Sequence, residues 1–266
     1  MSKTRNTSLF VILILAMSLL SACSIGSTET VRGSGNVVEE TREVSGVLGV
    51  ELATLGHLII EVGDEESLRI EAEDNLMEYF KTEVRGKTLR IKHRDRIRLK
   101  NKKPVNYYLT VVDLDNIKIS SSGDIQTPDL KARQFSITIA SSGNLEMGDL
   151  VTDSLNVKST SSGDVTMGAL NADALEVSIG SSGNLDIASG QVKTQKITIN
   201  SSGDYTAEDL KSDEAEVRIN SAGKVTLWVK DTLKANLQSS GDLHLRGNPK
   251  VDSTMNSSGR VKQISE

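Results

Sequence analysis

A single cysteine, Cys23, leaves this chain no partner for an internal disulfide. Only three histidines occur, His57, His93 and His244, and their wide scatter argues against a histidine-based catalytic or metal centre. No Gly-x-Ser-x-Gly, His-Glu-x-x-His or phosphate-loop sequence is present. The apolar run Leu9 to Leu20 is twelve residues, short of the roughly 20 that a helix needs to cross a bilayer. Aromatic residues make up 3% of the chain, and Tyr107 and Tyr108, adjacent in a strand, would face opposite ways and form no stacking platform. With a formal net charge of −5, the chain is a poor partner for nucleic acid.

What the chain does have is one turn that keeps returning. Ser-Ser-Gly ends at Gly123, Gly143, Gly163, Gly183 and Gly203, becomes Ser-Ala-Gly at Gly223, and returns at Gly241 and Gly259. The glycines are 20 residues apart up to Gly223 and 18 apart beyond it. A fixed period of this size predicts a solenoid, whose units bury their apolar faces by stacking on one another. Around Gly143 the apolar residues are Phe135, Ile137, Ile139, Leu145 and Met147, and around Gly183 they are Leu175, Val177, Ile179, Leu185 and Ile187. Alternation with Thr138, Glu146, Ser178 and Asp186 gives a period of two, so each coil is expected to hold two short strands.

The turn glycine is expected at positive φ, where it avoids a Cβ clash. After it come Asp124, Asn144, Asp164, Asn184, Asp204 and Asp242, with Lys224 and Arg260 as exceptions. Two readings stand: side chains that bond the turn locally, or a metal or ligand ladder on coils roughly 4.8 Å apart. The alternation of Asn with Asp spaces the carboxylates and favours the structural ladder.

Residues 1–22 read as a targeting segment, with Lys3 and Arg5 ahead of the apolar run. Leu20-Ser21-Ala22-Cys23 resembles the bacterial lipoprotein lipobox, which implies acylation of Cys23 and attachment of the exported chain to a membrane. By the same resemblance, Ser24 rather than Asp implies the outer membrane in a host that has one. Cleavage leaves 244 residues with a net charge of −7. Residues 23–35 are expected to be a flexible tether, residues 36–116 an irregular part of the β-helix, and residues 117–266 its regular repeat. Within the irregular part, residues 47–60 carry a weaker coil with Thr54-Leu55-Gly56-His57 at its turn, Asp74 or Asn75 caps a short helix, and Arg85-Gly86-Lys87 turns a hairpin.

Gly33-Ser34-Gly35-Asn36-Val37, Val50-Glu51-Leu52, Val62-Gly63-Asp64-Glu65-Glu66, Glu71-Ala72-Glu73-Asp74-Asn75-Leu76, Lys87-Thr88-Leu89-Arg90-Ile91 and the repeated Ser-Ser-Gly-Asp resemble the putative auto-transporter adhesin family, head GIN domain. The likeness runs over about residues 33–262, with His57 departing from the family's Gly-Asp. It implies an all-β protein, a right-handed parallel β-helix on an exported, often lipid-anchored chain, and it brings no catalytic residues and no cofactor with it.

One stretch is strongly basic. Arg90, Lys92, Arg94, Arg96, Arg98 and Lys100, flanked by Arg85, Lys87, Lys102 and Lys103, alternate with Leu89, Ile91, Ile97 and Leu99, which is expected to gather much of the charge on one strand face. That face is either a solvated edge that discourages strand pairing or a binding patch for anionic lipid head groups, lipopolysaccharide or acidic glycans. Trp228 falls out of phase with the inward set and is expected to be partly exposed, with Lys224 as a neighbouring contact. Glu146, Asp186 and Glu208 are acids on solvent faces, and coils without insertions leave little room for a catalytic cleft. The sequence therefore points to a non-catalytic envelope binding or adhesion module. A scaffold for a membrane-proximal envelope protein is the alternative, and a glycan lyase or hydrolase the less favoured one.

Overall fold

The computed structural model describes residues 28–264, so the targeting segment and Cys23 lie outside the described residues. Strand makes up 65% of it and helix 2%, arranged as a β-solenoid of about seven turns. The chain enters through β1 (Glu29–Arg32) and β2 (Val37–Arg42). Two strands, β3 (Gly49–Ala53) and β4 (His57–Val62), form the first coil, turned at Gly56 with φ 114°. The Tyr107 hydroxyl donates to the Leu55 carbonyl at 3.2 Å, and His93 Nδ1 lies 3.0 Å from the buried Thr54 hydroxyl. Thr54-Leu55-Gly56-His57 thus makes a true coil corner, closed by side chains from outside the repeat.

Next come β5 (Ser67–Glu73), the one-turn helix α1 (Asp74–Met77), a hairpin of β6 (Phe80–Arg85) and β7 (Thr88–His93), β8 (Ile97–Lys100) and β9 (Asn106–Val111). The cap of α1 is the extended Glu73, with no side-chain cap bond, rather than Asp74 or Asn75. Spatial order departs from chain order here. β3 has β7 parallel on one side and β10 (Asn116–Ile119) parallel on the other, while β4 lies between β9 and β11 (Asp124–Thr127). The first coil in sequence is therefore second in the stack. Antiparallel β6 against β7, and β5 against β9 with β2 beyond it, then cover that end of the solenoid. Charged residues on the outermost strands, Lys81, Glu83 and Arg85 on β6 and Glu39, Glu40 and Arg42 on β2, discourage further pairing there.

From β12 (Leu130–Ile139) onward the coils are regular: β13 (Leu145–Met147), β14 (Leu150–Ser159), β15 (Val165–Ile179), β16 (Leu185–Ile199), β17 (Tyr205–Ile219), β18 (Lys224–Leu237), β19 (Asp242–Arg246), β20 (Lys250–Met255) and β21 (Arg260–Gln263). Successive strands pair in parallel at a 20-residue offset, as Ile137 with Val157, Val157 with Val177 and Val177 with Ile197. The inward residues read from the sequence form one buried column along the axis. Each large apolar side chain contributes about 1.5–3 kcal/mol by leaving water.

Each coil also has a third short side that the two-strand reading missed. Leu130, Leu150, Leu170, Val192 and Leu210 point inward there, beyond a corner that shifts the alternation by one residue.

The repeat glycines do not take positive φ; among the glycines of the described residues only Gly35, Gly46, Gly56, Gly86, Gly190 and Gly247 do. Their cause is close stacking. A Cβ on Gly143 would lie 2.0 Å from the carbonyl oxygen of Gly123, and one on Gly163 2.1 Å from that of Gly143. Side chains are excluded because the turns lie directly on one another.

The two ends differ. In β20, paired only with β18, every residue is exposed, including the inward-phased Val251 and Met255. Lys262 and Gln263 lie in β21, which pairs with β19.

Candidate functional site

The Asp/Asn column after the turn glycines is a hydrogen-bonded ladder. Asp124 Oδ1 accepts from the Asn144 N–H at 2.8 Å, Asn144 Oδ1 from the Asp164 N–H at 3.0 Å, and Asp164 Oδ1 from the Asn184 N–H at 2.8 Å. Asn184 passes the pattern to Asp204, and Asp204 to the N–H of Lys224. The amide groups of Asn144 and Asn184 also donate to the carboxylates of Asp124 and Asp164 at 3.1 and 3.0 Å. Alternation thus gives each of these aspartates a neutral donor in the next coil. The column is spent on structure, in line with the first of its two readings.

The basic stretch does not form one face. Arg90 and Lys92, on β7, lie among acids: Arg90 is 3.2 Å from Glu51, and Lys92 is 3.6 Å from Glu83. Lys118 reaches Glu51 from the coil below at 3.1 Å. Burial pushes the Glu51 carboxyl up, but the Ser120 and Lys118 bonds, with the charges of Lys118 and Arg90, outweigh it and hold the pKa below the usual range. Arg94 sits over the Tyr79 ring at 5.1 Å, and Arg96, Arg98 and Lys100 project into solvent. The bend between β7 and β8 divides the run, because β8 leaves the solenoid to pair with β1.

Trp228 is half-buried at a corner of β18, with Lys211 Nζ 5.9 Å from its ring. They border a groove of about 380 Å³ with Gln191, Lys193, Asp213 and Lys230. Lys193 is bonded to Asp173 at 2.7 Å, which raises its pKa. Lys224 begins the same strand, its side chain exposed and its N–H held by Asp204. Four residues of strand, about 13 Å, separate it from Trp228, so the structure groups Trp228 with Lys211 instead. The pairing Lys211 with Trp228 arises at a register slip between β17 and β18, which no repeat count discloses.

A second groove of about 430 Å³ was also not read from the sequence. It is bordered by the exposed Val62, Val112 and Val151, whose alternation with inward neighbours makes them ordinary outward residues until stacking gathers them. The histidines stay apart: His57 pairs in register with Asn106 and Asp124, His93 bonds Thr54, and His244 lies on β19. Burial, with Lys224 and Lys262 on either side, lowers the His244 pKa. Glu146 and Asp186 are exposed on separate coils, and Glu208 is 3.8 Å from Arg246.

The model of one family, described as putative auto-transporter adhesin, head GIN domain, matches residues 49–249. The chain belongs to this family. Solved structures resemble the head GIN domain chain over nearly its whole length. A putative lipid binding protein from Parabacteroides distasonis is 23% identical with a TM-score of 0.83, and a putative adhesin from Parabacteroides merdae is 17% identical with a TM-score of 0.82. Each alignment covers 89% of this chain and 100% of the other. At such identities the likeness shows the fold. No curated protein matches. In this head GIN domain the two motifs Gly33-Ser34-Gly35-Asn36 and Glu73-Asp74-Asn75 interlock: Ser34 Oγ donates to Asp74 at 2.5 Å, and the Ser34 N–H to Asn75 Oδ1 at 2.8 Å. Residues 29–35, expected in the tether, are therefore docked on the body, since these bonds and the β1–β8 pairing replace solvent along them.

Proposed function

We propose that the chain is an exported protein held to a membrane by acylated Cys23, whose solenoid serves as a non-catalytic binding and adhesion module. The observation that carries this reading is the state of the coils. They keep 18–20 residues from Gly123 to Gly259 without projecting loops, and their recurring Asp and Asn side chains are bonded to the coil above. Such sides offer a long, flat, polar surface suited to another macromolecule rather than an enclosed site for turnover. Relatives of the same fold described as a putative adhesin and a putative lipid binding protein agree with a binding role.

The ligand class that fits is a glycan, with Trp228 as the stacking surface and Lys211, Gln191 and Asp213 as hydrogen-bonding groups along the groove. A glycan array probed with the mature chain carrying Cys23→Ser tests this. Saturable binding that Trp228→Ala with Lys211→Ala abolishes supports it, and binding that survives the pair removes the groove from the account. The exposed edge of β20 favours a second reading, an envelope protein partner adding a strand there. Silence on the array with capture of such a partner through β20 would select it. Intact mass of the chain from its native host reads acylation of Cys23 directly.

A further inference from the structure

We propose that the β1–β8 flap is a membrane-facing surface that binds anionic lipid head groups and sets how the solenoid stands on the bilayer. The proposal rests on acylation of Cys23 for its anchor, while its surface stands on the flap alone.

β1 and β8 form a two-stranded parallel sheet in the register Glu29 with Ile97, Thr30 with Arg98, Val31 with Leu99 and Arg32 with Lys100. Partners in register share a face. Val31, Ile97 and Leu99 turn toward the body, with Leu99 buried. The opposite face carries Thr30, Arg32, Arg98 and Lys100, all exposed, so every charge on it is positive. Arg94 and Arg96 are exposed in the turn before β8, where Asp95 is the one acid, and Lys102 is exposed just beyond β8. Arg94, Arg96, Arg98 and Lys100 form no ion pair among the described residues, in contrast to Arg90 and Lys92.

Two further observations choose a membrane over a soluble polyanion. The first is chain length. Five residues lie between Cys23 and Glu29, a reach of at most about 22 Å, and β1 runs directly alongside β8. An acyl chain on Cys23 would keep this face at the head groups, and a single lipid signal gains from a polybasic neighbour. The second is charge asymmetry. Residues 117–266 hold 19 acidic and 15 basic residues, so an anionic surface repels the coils while attracting the flap.

The flap is closed within itself and tied to the body at one end. Within it, the Glu29 N–H donates to the Arg96 carbonyl at 3.1 Å and the Gly33 N–H to the Lys100 carbonyl at 2.9 Å. Beyond them, Glu73 receives the N–H groups of Gly35 and Lys102. Orientation of the flap on a membrane is thereby passed to the solenoid.

The test uses the unlipidated mature chain, Cys23→Ser, in flotation with vesicles of phosphatidylcholine alone and of phosphatidylcholine mixed with phosphatidylglycerol. Expected is binding to the anionic vesicles that falls as salt is raised. Arg32→Glu with Arg98→Glu and Lys100→Glu weakens it on the order of a hundredfold, at about fivefold or more per residue. Lys158→Glu with Lys234→Glu and Lys262→Glu, the same charge change on the coils, leaves most of it, and circular dichroism confirms that both variants fold. No binding to anionic vesicles, or equal loss in the two variants, overturns the proposal. So does capture of soluble heparin without capture of vesicles, which would make the flap a glycan site. An unacylated Cys23 in the native-host chain would remove the anchor without altering the vesicle result, so the two failures are told apart.

Discussion

Glu73 accepts the Gly35 N–H on one carboxylate oxygen and the Lys102 N–H, at 2.8 Å, on the other. One buried side chain thus pins the segments that follow β1 and β8. Hydrogen bonds to a charged acceptor contribute about 1.5–3 kcal/mol each, and an amide in its place presents only one acceptor oxygen. Glu73→Gln is therefore expected to release the flap before the solenoid. Amide exchange at Gly35 and Lys102 should accelerate by tenfold or more, while exchange at Ile137 and Val177 stays as it was. Unchanged exchange at Gly35 would show that the β1–β8 pairing suffices by itself.

The same carboxylate gives the flap a pH dependence. Burial alone would raise the Glu73 pKa, but the backbone N–H groups of Lys102, Lys103 and Gly35 outweigh it and hold it below the usual range. A depressed pKa contributes stability that is present above the unfolded value, about 4.3, and is lost as pH falls through the folded value. The amide shifts of Gly35 and Lys102 should stay flat from neutral pH to about 5 and titrate together with a midpoint below about 4.3. A midpoint above that value would contradict the hydrogen-bond account.

Alternation about each turn disclosed the buried column, since Phe135, Ile137, Ile139, Leu145 and Met147 lie inward as their spacing required. The third side was hidden because the corner near Gly148 shifts the phase before Leu150. Chain order gave no access to the placement of β7 and β9 outside β3 and β4, which depends on long-range stacking. Spacing showed that glycine was needed at each turn without its reason, because the clash is with the next coil rather than within the residue. Of the proposed binding surfaces, Trp228 and the basic run were visible as residues. Their partners, Lys211 for one and Arg32 for the other, exist only through register.

Asn184→Asp tests the ladder. The substitution removes a donor to Asp164 and places a third carboxylate between those of Asp164 and Asp204. A cost of about 1–2 kcal/mol in urea unfolding at pH 7 is expected. Like-charge neighbours raise the pKa of the introduced carboxyl, so the cost should shrink as pH falls through that raised value. A cost equal at pH 7 and pH 4 would assign it to lost hydrogen bonding alone.

Gly163→Ala tests stacking against conformational freedom. Its Cβ would lie 2.1 Å from the Gly143 carbonyl oxygen and 2.8 Å from Ile139 Cγ2. Two coils must separate locally, which costs about 1–3 kcal/mol as overpacking. Gly46→Ala has open space around the new carbon but φ 68°, so it measures the φ penalty alone, about 1 kcal/mol. Equal losses in the two variants, read by thermal unfolding, would contradict the steric account.

The coil shortens from 20 to 18 residues after Gly223, and the register slip there turns the Trp228 carbonyl toward buried side chains. Ser212 Oγ donates to it at 2.9 Å, Gln195 Nε2 donates to Ser212 at 2.8 Å, and the Tyr205 hydroxyl donates to Gln195 Oε1 at 2.8 Å. Burial pushes the Tyr205 pKa up, so the hydroxyl remains a donor. Tyr205→Phe leaves Gln195 Oε1 without its donor, at about 1–3 kcal/mol. Gln195→Leu strands Tyr205 and Ser212 in turn. The double variant removes both partners of the Tyr205–Gln195 bond, so its cost should fall short of the summed single costs by about 1 kcal/mol or more. Strict additivity in urea unfolding would mean that the three side chains are satisfied independently, and the shorter coil would then owe its register to the apolar contacts of Leu227 and Val229 alone.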